Sequence, residues 1–364
     1  MPIPSLERTL RSIQKLVEDQ EWYSAHQKYR TSAARLLKSS DQSSIRDAIS
    51  LLFEGSRVLL QRNQIGSGTD LALMLIRDVY VSKKVEYRSE DRNKVLNLIA
   101  LAGPSNNWRR SIIDAALGWS GEAMGCLTGD PLINQAVGET YFKENQFPQA
   151  VIHLLSASNR DSAKVLSELM WIWSKLDPEP ERNLAKYAGI GVIGYLEVAS
   201  ILGARTFLDD FLSKVTTHHQ DLLNSTLPCP NNASSIQIFL NPSLNFLQLL
   251  VITCQVGPGT LPNGSKPPPN HNGPTIGKAV YQAMIGRYSK SEPWLVTPPM
   301  KETFASIGEI YFGIKIPRHG GNIFSDLMGS LFSGGGPDSQ PPPPSRRSLK
   351  GSDQGAGISE PTVD

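Results

Sequence analysis

Apolar positions recur at a spacing of three and four through nearly the whole chain, the stripe an α-helix lays along one side. Leu6, Leu10, Ile13, Leu16 and Val17 mark a first helix, and Tyr23, His26, Tyr29, Ala33, Leu36 and Leu37 line a second. Asp41 and Ser44 are placed to cap a third, which runs through Ile45, Ile49, Leu52, Phe53 and Leu59. Gly66-Ser67-Gly68-Thr69-Asp70 interrupts the pattern, which restarts over 71–81 with Thr69 as the expected N-cap. Further helices are expected over 90–102, 105–120, 131–144, 147–157, 160–175, 181–203 and 204–224, with Pro131 and Pro178 suited to first turns. Period-two alternation is scarce. The one extended piece, Ser235-Ile236-Gln237-Ile238-Phe239-Leu240, reads as the arm of a short β-hairpin near 235–242 or as a strand against a partner. Residues 244–255 are apolar nearly all round, so that helix must be covered on several sides. Helical spacing returns over 276–290 and 299–312, and a short amphipathic piece follows at 323–332. Residues 257–274, rich in Pro, Gly and Asn, read as a flexible loop, and 333–364 as a disordered tail.

One turn signal occurs twice. Glu18-Asp19-Gln20-Glu21-Trp22-Tyr23-Ser24-Ala25 and Lys143-Glu144-Asn145-Gln146-Phe147-Pro148-Gln149-Ala150 each set a polar run before an aromatic residue, with an alanine three positions later. In a helical hairpin the aromatic side chain plugs the gap between two helices and the alanine allows their close approach. The expected fold is therefore all-α, a right-handed α-solenoid of helical hairpins of the tetratricopeptide type. Such a fold favours scaffolds over enzymes.

The 364 residues carry a net charge of +2, which excludes the strong field of a nucleic-acid or membrane-surface binder. Residues 1–40 nevertheless hold seven basic side chains against four acidic ones, either a solvated helix face or a docking face for an acidic protein. Three cysteines, Cys126, Cys229 and Cys254, lack metal or redox spacing, which suits a reducing compartment. The N-terminus lacks the apolar core of a signal peptide, and the apolar stretch from Tyr187 to Ala204 carries Glu197 and four glycines. A soluble, cytosolic protein with no direct membrane insertion is expected.

Catalytic motifs fail on inspection. Gly259 and Gly264 have phosphate-loop spacing, but Ser265-Lys266 reverses the required order and no strand precedes them. The six histidines are scattered; His218 and His219 are adjacent, which suits a metal poorly, and His153 reads as a packed core histidine. No convergent acid, base, nucleophile or cofactor cradle is visible, so neither an enzyme nor a bound cofactor or metal is expected.

Tyr23-Ser24-Ala25-His26-Gln27 with Tyr29-Arg30-Thr31, Gly66-Ser67-Gly68-Thr69-Asp70-Leu71, Gly129-Asp130-Pro131, the 244–255 helix and Ile307-Gly308 with Tyr311-Phe312 occur in an order that resembles the Golgi-to-ER traffic protein 4 family. The resemblance covers roughly residues 5–332. It implies an adaptor, without catalysis of its own, in the guided entry of tail-anchored membrane proteins into the endoplasmic reticulum. The amino-terminal half, 1–157, would dock on the homodimeric ATPase that carries those proteins and favour its ATP-bound state. The carboxy-terminal half, 158–332, would hold a ubiquitin-like partner, and through it a chaperone adaptor.

By position, the resemblance puts Arg11, Lys15, His26, Arg30, Arg35 and Asp70 on the ATPase face. It puts Ile236, Ile238, Phe239, Leu240, Leu244, Phe246, Tyr311, Phe312, Phe324 and Leu327 against the ubiquitin-like partner, with Leu247 and Leu250 better read as core. The plainer reading is a solvated face for the first set and ordinary core for much of the second. The chain departs from the family at 257–274, a Pro-rich run where another regular helix is usual, so that helix is either displaced to 276–290 or preceded by a longer loop. The competing reading of the whole chain is a generic helical-repeat subunit of another cytosolic complex.

Overall fold

The computed structural model describes residues 6–104, 106–227, 236–256 and 273–314. The 257–272 part of the loop, Phe324, Leu327 and the 333–364 tail lie outside them. Among the described residues the chain forms fourteen α-helices and one β-hairpin. The first eight helices are α1 (Leu6–Glu18), α2 (Trp22–Leu36), α3 (Gln42–Gln61), α4 (Ile65–Met74), α5 (Ser89–Leu101), α6 (Asn106–Met124), α7 (Pro131–Lys143) and α8 (Phe147–Ala157). Then come α9 (Arg160–Lys175), α10 (Pro180–Glu197), α11 (Ile201–His218), β1 (Leu223–Leu227), β2 (Ile236–Phe239), α12 (Pro242–Gln255), α13 (Gly273–Tyr288) and α14 (Pro298–Phe312). Most consecutive helices pack against one another, and alternate helices such as α2 and α4, α4 and α6, or α9 and α11 also touch. One continuous core runs through them.

Four turns between paired helices share one backbone device and one side-chain pattern. Gln20, Asn63, Asn145 and Ala199 each sit at φ between 58° and 59°, the left-handed conformation that ends a helix. The next residue's N–H bonds back five positions in every case: Glu21 to Leu16, Gln64 to Leu59, Gln146 to Tyr141 and Ser200 to Tyr195, at 2.8–2.9 Å. Two residues after the left-handed position stands a large apolar side chain (Trp22, Ile65, Phe147 or Ile201). Five after it stands a small residue (Ala25, Gly68, Ala150 or Ala204), and all four of these are buried. The two copies with an aromatic residue and an alanine are evident in the sequence. The other two are disguised by isoleucine and glycine.

That disguise accounts for one correction. Gly66-Ser67-Gly68-Thr69-Asp70 does not break the helical pattern but lies inside α4, which starts at Ile65. A Cβ on Gly68 would sit 2.7 Å from Leu60 Cγ, so the glycine is there to let α4 close on α3, and Ser56 Oγ donates to the Gly68 carbonyl at 2.7 Å. Thr69 is thus fully buried in mid-helix rather than an N-cap. The 71–81 segment is also divided: after Met74 the chain winds as a π-helix over Leu75–Val81.

Other boundaries follow from capping. Asp41 caps α3 by accepting from the Ser44 N–H, and Asp130 caps α7 by accepting from Leu132, with Pro131 in its first turn. At α10 it is Pro180, not Pro178, that opens the helix. The helix expected to run to 224 ends at His218, and Leu223–Leu227 become a strand whose three central residues are all polar. That strand pairs antiparallel with β2. The helix expected at 276–290 spans Gly273–Tyr288.

His153 is a packed histidine, as its apolar helix suggested. Its ring stacks on Tyr141 at 5.6 Å and its Nδ1–H donates to Asn134 Oδ1 at 3.0 Å, because the Asn134 amide nitrogen is already committed to the Thr128 carbonyl. Burial pushes its pKa from 6.5 down to about 4. A depressed folded pKa means the unfolded chain takes up the extra proton. The contribution to stability is therefore complete above pH 6.5 and is lost as pH falls towards 4. Between pH 7 and pH 5 the wild type should lose about 2 kcal/mol that His153→Gln does not lose, measured by urea unfolding at both pH values. Parallel losses in the two proteins would show that His153 is not the linked group.

Candidate functional site

The six basic-face candidates fall into two groups. His26, Arg30 and Asp70 form one cluster. On α2, His26 and Arg30 are one turn apart, and α4 packs beside α2 and presents Asp70 between them. The same carboxylate oxygen, Oδ2, accepts from His26 Nε2 at 2.9 Å and from Arg30 Nη1 at 2.5 Å. Gln27 Nε2 donates to His26 Nδ1 at 3.4 Å, which fixes the histidine tautomer with its proton on Nε2, facing Asp70. Partial burial works to raise the Asp70 pKa, but the hydrogen bonds from His26 and Arg30, with the charge of Arg30, outweigh it and hold the carboxylate below its ordinary range. The His26 side chain is largely buried, while those of Arg30 and Asp70 remain half-exposed. Chemically this is an anion already neutralised from within, with a guanidinium edge turned to solvent. Arg30 balances Asp70, and with a neutral histidine the cluster carries no net charge.

Arg11, Lys15 and Arg35 stand apart from the cluster. Arg11 and Lys15 share the exposed side of α1, opposite buried Ile13. Arg11 reaches only Glu7, one turn earlier, at 4.0 Å with both side chains more than 80% exposed, a pair of negligible strength. Among the described residues neither Lys15 nor Arg35 forms an ion pair, and both are exposed. They are exposed surface cations, suited to steering rather than to fixed geometry.

Two aromatic residues flank the cluster. Tyr23, read from the sequence as part of the buried stripe of α2, is 75% exposed and lies one turn before His26. Trp108 on α6 is 47% exposed, and its ring stands 3.7 Å from where a Cβ would lie on Gly66, one turn before Asp70 on α4. Sequence pattern alone gives no reason to suspect either one, since an aromatic residue at helical spacing reads as core.

At the other end the apolar candidates separate by burial. Leu244, Phe246, Phe239, Tyr311 and Phe312 are buried within the chain, as are Leu247 and Leu250. Phe246 sits among Tyr288, Trp294 and Phe304, with ring centroids 5.2–6.0 Å away, and Phe312 stacks on Tyr281 at 4.8 Å. The physical reason is that helices α12–α14 must cover the carboxy-terminal side of the α10–α11 pair, and these rings fill that interface. Ile236 and Ile238 are half-buried and Leu240 is 64% exposed, so the hairpin keeps an apolar surface. Leu227 on β1 and Val256 after α12, which sequence reading did not select, are exposed as well.

Among the described residues no group of three or more His, Cys, Asp or Glu side chains is placed to hold a metal ion. None of their helices is long and apolar enough to cross a membrane. The thiol of Cys254 is buried, and burial pushes it up to about 12.

The sequence model of one family, described as Golgi to ER traffic protein 4, matches residues 42–332. The protein of that description from Aspergillus fumigatus is 28% identical over 369 residues, which cover 98% of this chain and 97% of the relative. That from Schizosaccharomyces pombe is 27% identical over 314 residues, covering 86% and 91%. A solved structure described as the crystal structure of C. therm. Get4 superposes with a TM-score of 0.72 at 27% identity, over 92% of this chain and 98% of that one.

Proposed function

The chain belongs to the Golgi to ER traffic protein 4 family, and from that premise we propose that it is a non-catalytic, cytosolic adaptor in the targeting of tail-anchored membrane proteins. The amino-terminal half, 1–157, meets the targeting ATPase. The carboxy-terminal half, 158–332, holds a ubiquitin-like partner and through it a chaperone adaptor. The observation that carries the reading is the His26–Arg30–Asp70 cluster, a fixed polar constellation where α2 and α4 lie side by side, with Arg30 and Asp70 half-exposed.

The cluster and the free cations divide the work. Arg11, Lys15 and Arg35 draw in an acidic ATPase surface. Arg30 and Asp70 give the contact its geometry, with Tyr23 and Trp108 as apolar flanks, while His26 lies beneath and holds Asp70 in place. On the ubiquitin-like side half-buried Ile236 and Ile238 and exposed Leu240 make contact. Buried Phe239, Leu244, Phe246, Tyr311 and Phe312 give that surface its shape.

The test is binding to the cognate ATPase, with and without ATP, across a salt series. Arg11→Glu with Lys15→Glu should weaken binding about tenfold at low salt and much less at high salt, because exposed charges are screened within a Debye length of roughly 10 Å at 0.1 M. Asp70→Lys should alter the restraint on ATP hydrolysis more than affinity. No complex in either nucleotide state, from a folded helical protein, would overturn the adaptor reading and leave a helical scaffold for other partners.

A further inference from the structure

Helix α12 is largely apolar, yet it carries Asn245 and Gln248 on one side, three residues apart, and Gln248 is buried. Both amides are spent on the backbone of β2. Gln248 Nε2 donates to the Gln237 carbonyl at 2.7 Å, and its Oε1 accepts from the Gln237 N–H at 3.2 Å. Asn245 Nδ2 donates to the Phe239 carbonyl at 2.8 Å, and its Oδ1 accepts from the Phe239 N–H, also at 2.8 Å. The two side chains therefore satisfy, on the edge of β2 away from β1, the groups that a third strand would have satisfied. Two residues along a strand span about 6.6 Å and three along a helix about 4.5 Å. One long and one short amide bridge that mismatch.

An isolated two-stranded hairpin is marginal in water. This one has a bulge between Leu223 and Ser225, and four of the five residues of β1 are exposed. Its order must come from elsewhere: Leu223 at the start of β1 packs on the core, and along β2 the amide pair, with buried Phe239 beneath it, joins the hairpin to α12. We infer that Asn245 and Gln248 are positioning residues for the ubiquitin-like partner: they hold the hairpin ready in its binding conformation without touching the partner. The inference rests on the hairpin being the docking arm, as proposed above. If the clamp is removed, only a fraction of molecules present the arm correctly, and apparent affinity falls by that fraction. Such a loss appears in the association rate. Dissociation of the complex, where the partner itself holds the arm, is unchanged.

The experiment compares the full-length wild type, Asn245→Leu with Gln248→Met, and Leu240→Asp. Association and dissociation rates for the ubiquitin-like partner are measured together with hydrogen exchange of the Gln237 and Phe239 amides in the free protein. The apolar pair keeps size but neither donates to the carbonyls nor offers an amide oxygen to the two N–H groups. The clamp variant should lose exchange protection at both amides and on the order of tenfold in association rate, with dissociation unaltered. Leu240→Asp should keep the protection and dissociate faster. Unchanged exchange in the clamp variant would overturn the inference. So would lost protection with unchanged association, in which case a weakened Leu240→Asp still supports the hairpin as the docking arm. If Leu240→Asp and the clamp variant both bind like the wild type, the docking arm itself is refuted, and the inference with it.

Discussion

Glu144→Ala is expected to cost about 3–5 kcal/mol of stability, the range for removing one partner of a buried ion pair. The guanidinium of Arg109 on α6 is 4% exposed and meets Glu144 in a two-pronged arrangement at 2.6 and 2.5 Å, with the Tyr141 ring 4.9 Å beneath. Glu144 adjoins the left-handed Asn145, in the turn between α7 and α8, so the pair ties the α5–α6 region to the next hairpin. Its loss strands a cation that cannot be deprotonated. Removing both charges, as Arg109→Met with Glu144→Leu, should recover most of the loss, because desolvation is then no longer uncompensated. Urea midpoints measure the total. Hydrogen exchange should localise the opening to α6–α8, since each hairpin of a helical stack leans chiefly on its neighbours. A loss below about 1 kcal/mol, or a double variant as weak as the single one, would refute this account.

Gly191→Ala should be nearly as severe, about 3 kcal/mol, although alanine is the better helix former. A Cβ at Gly191 would lie 2.2 Å from Phe207 Cζ and 2.4 Å from both Cε atoms. That ring is fully buried, stacked on Phe211 at 5.8 Å and bounded by Tyr195 at 6.4 Å, so it has nowhere to move. Helices α10 and α11 would have to separate. Gly118 on α6 is the control, because a Cβ there meets nothing within 4 Å. Gly118→Ala should stabilise by about 0.5–1 kcal/mol. Similar effects at the two positions would mean that close approach is not what Gly191 provides.

The hairpin turns show how far the sequence could be read. Helices α8 and α9 match their expected limits residue for residue, because Pro148 near the start of α8 and Asn159 with Ser162 at the start of α9 mark their ends locally. The Gly66–Asp70 stretch misled because glycine has two uses, relaxing the backbone and admitting a neighbour, and only the position of Leu60 tells which applies. β1 went unseen because its central Asn-Ser-Thr offers no alternation. It is a strand only because β2 pairs with it on one side and α12 backs β2 on the other.

The candidate site divides in the same way. The residue types on the basic face, and the ordered motifs that resemble one family, were legible in sequence because each depends on local identity and spacing. That His26 and Arg30 share one oxygen of Asp70, that Tyr23 faces solvent, and that five of the eight described apolar candidates are core were not. Each of these depends on which helix lies alongside, across separations such as the 44 residues between His26 and Asp70. Local periodicity determined the helices, the hairpin turns and the all-α class, because a helix satisfies its own backbone and needs only one apolar face. Tertiary structure alone decided which polar groups pair and which apolar side chains remain for a partner, because burial and charge pairing belong to neighbours in space.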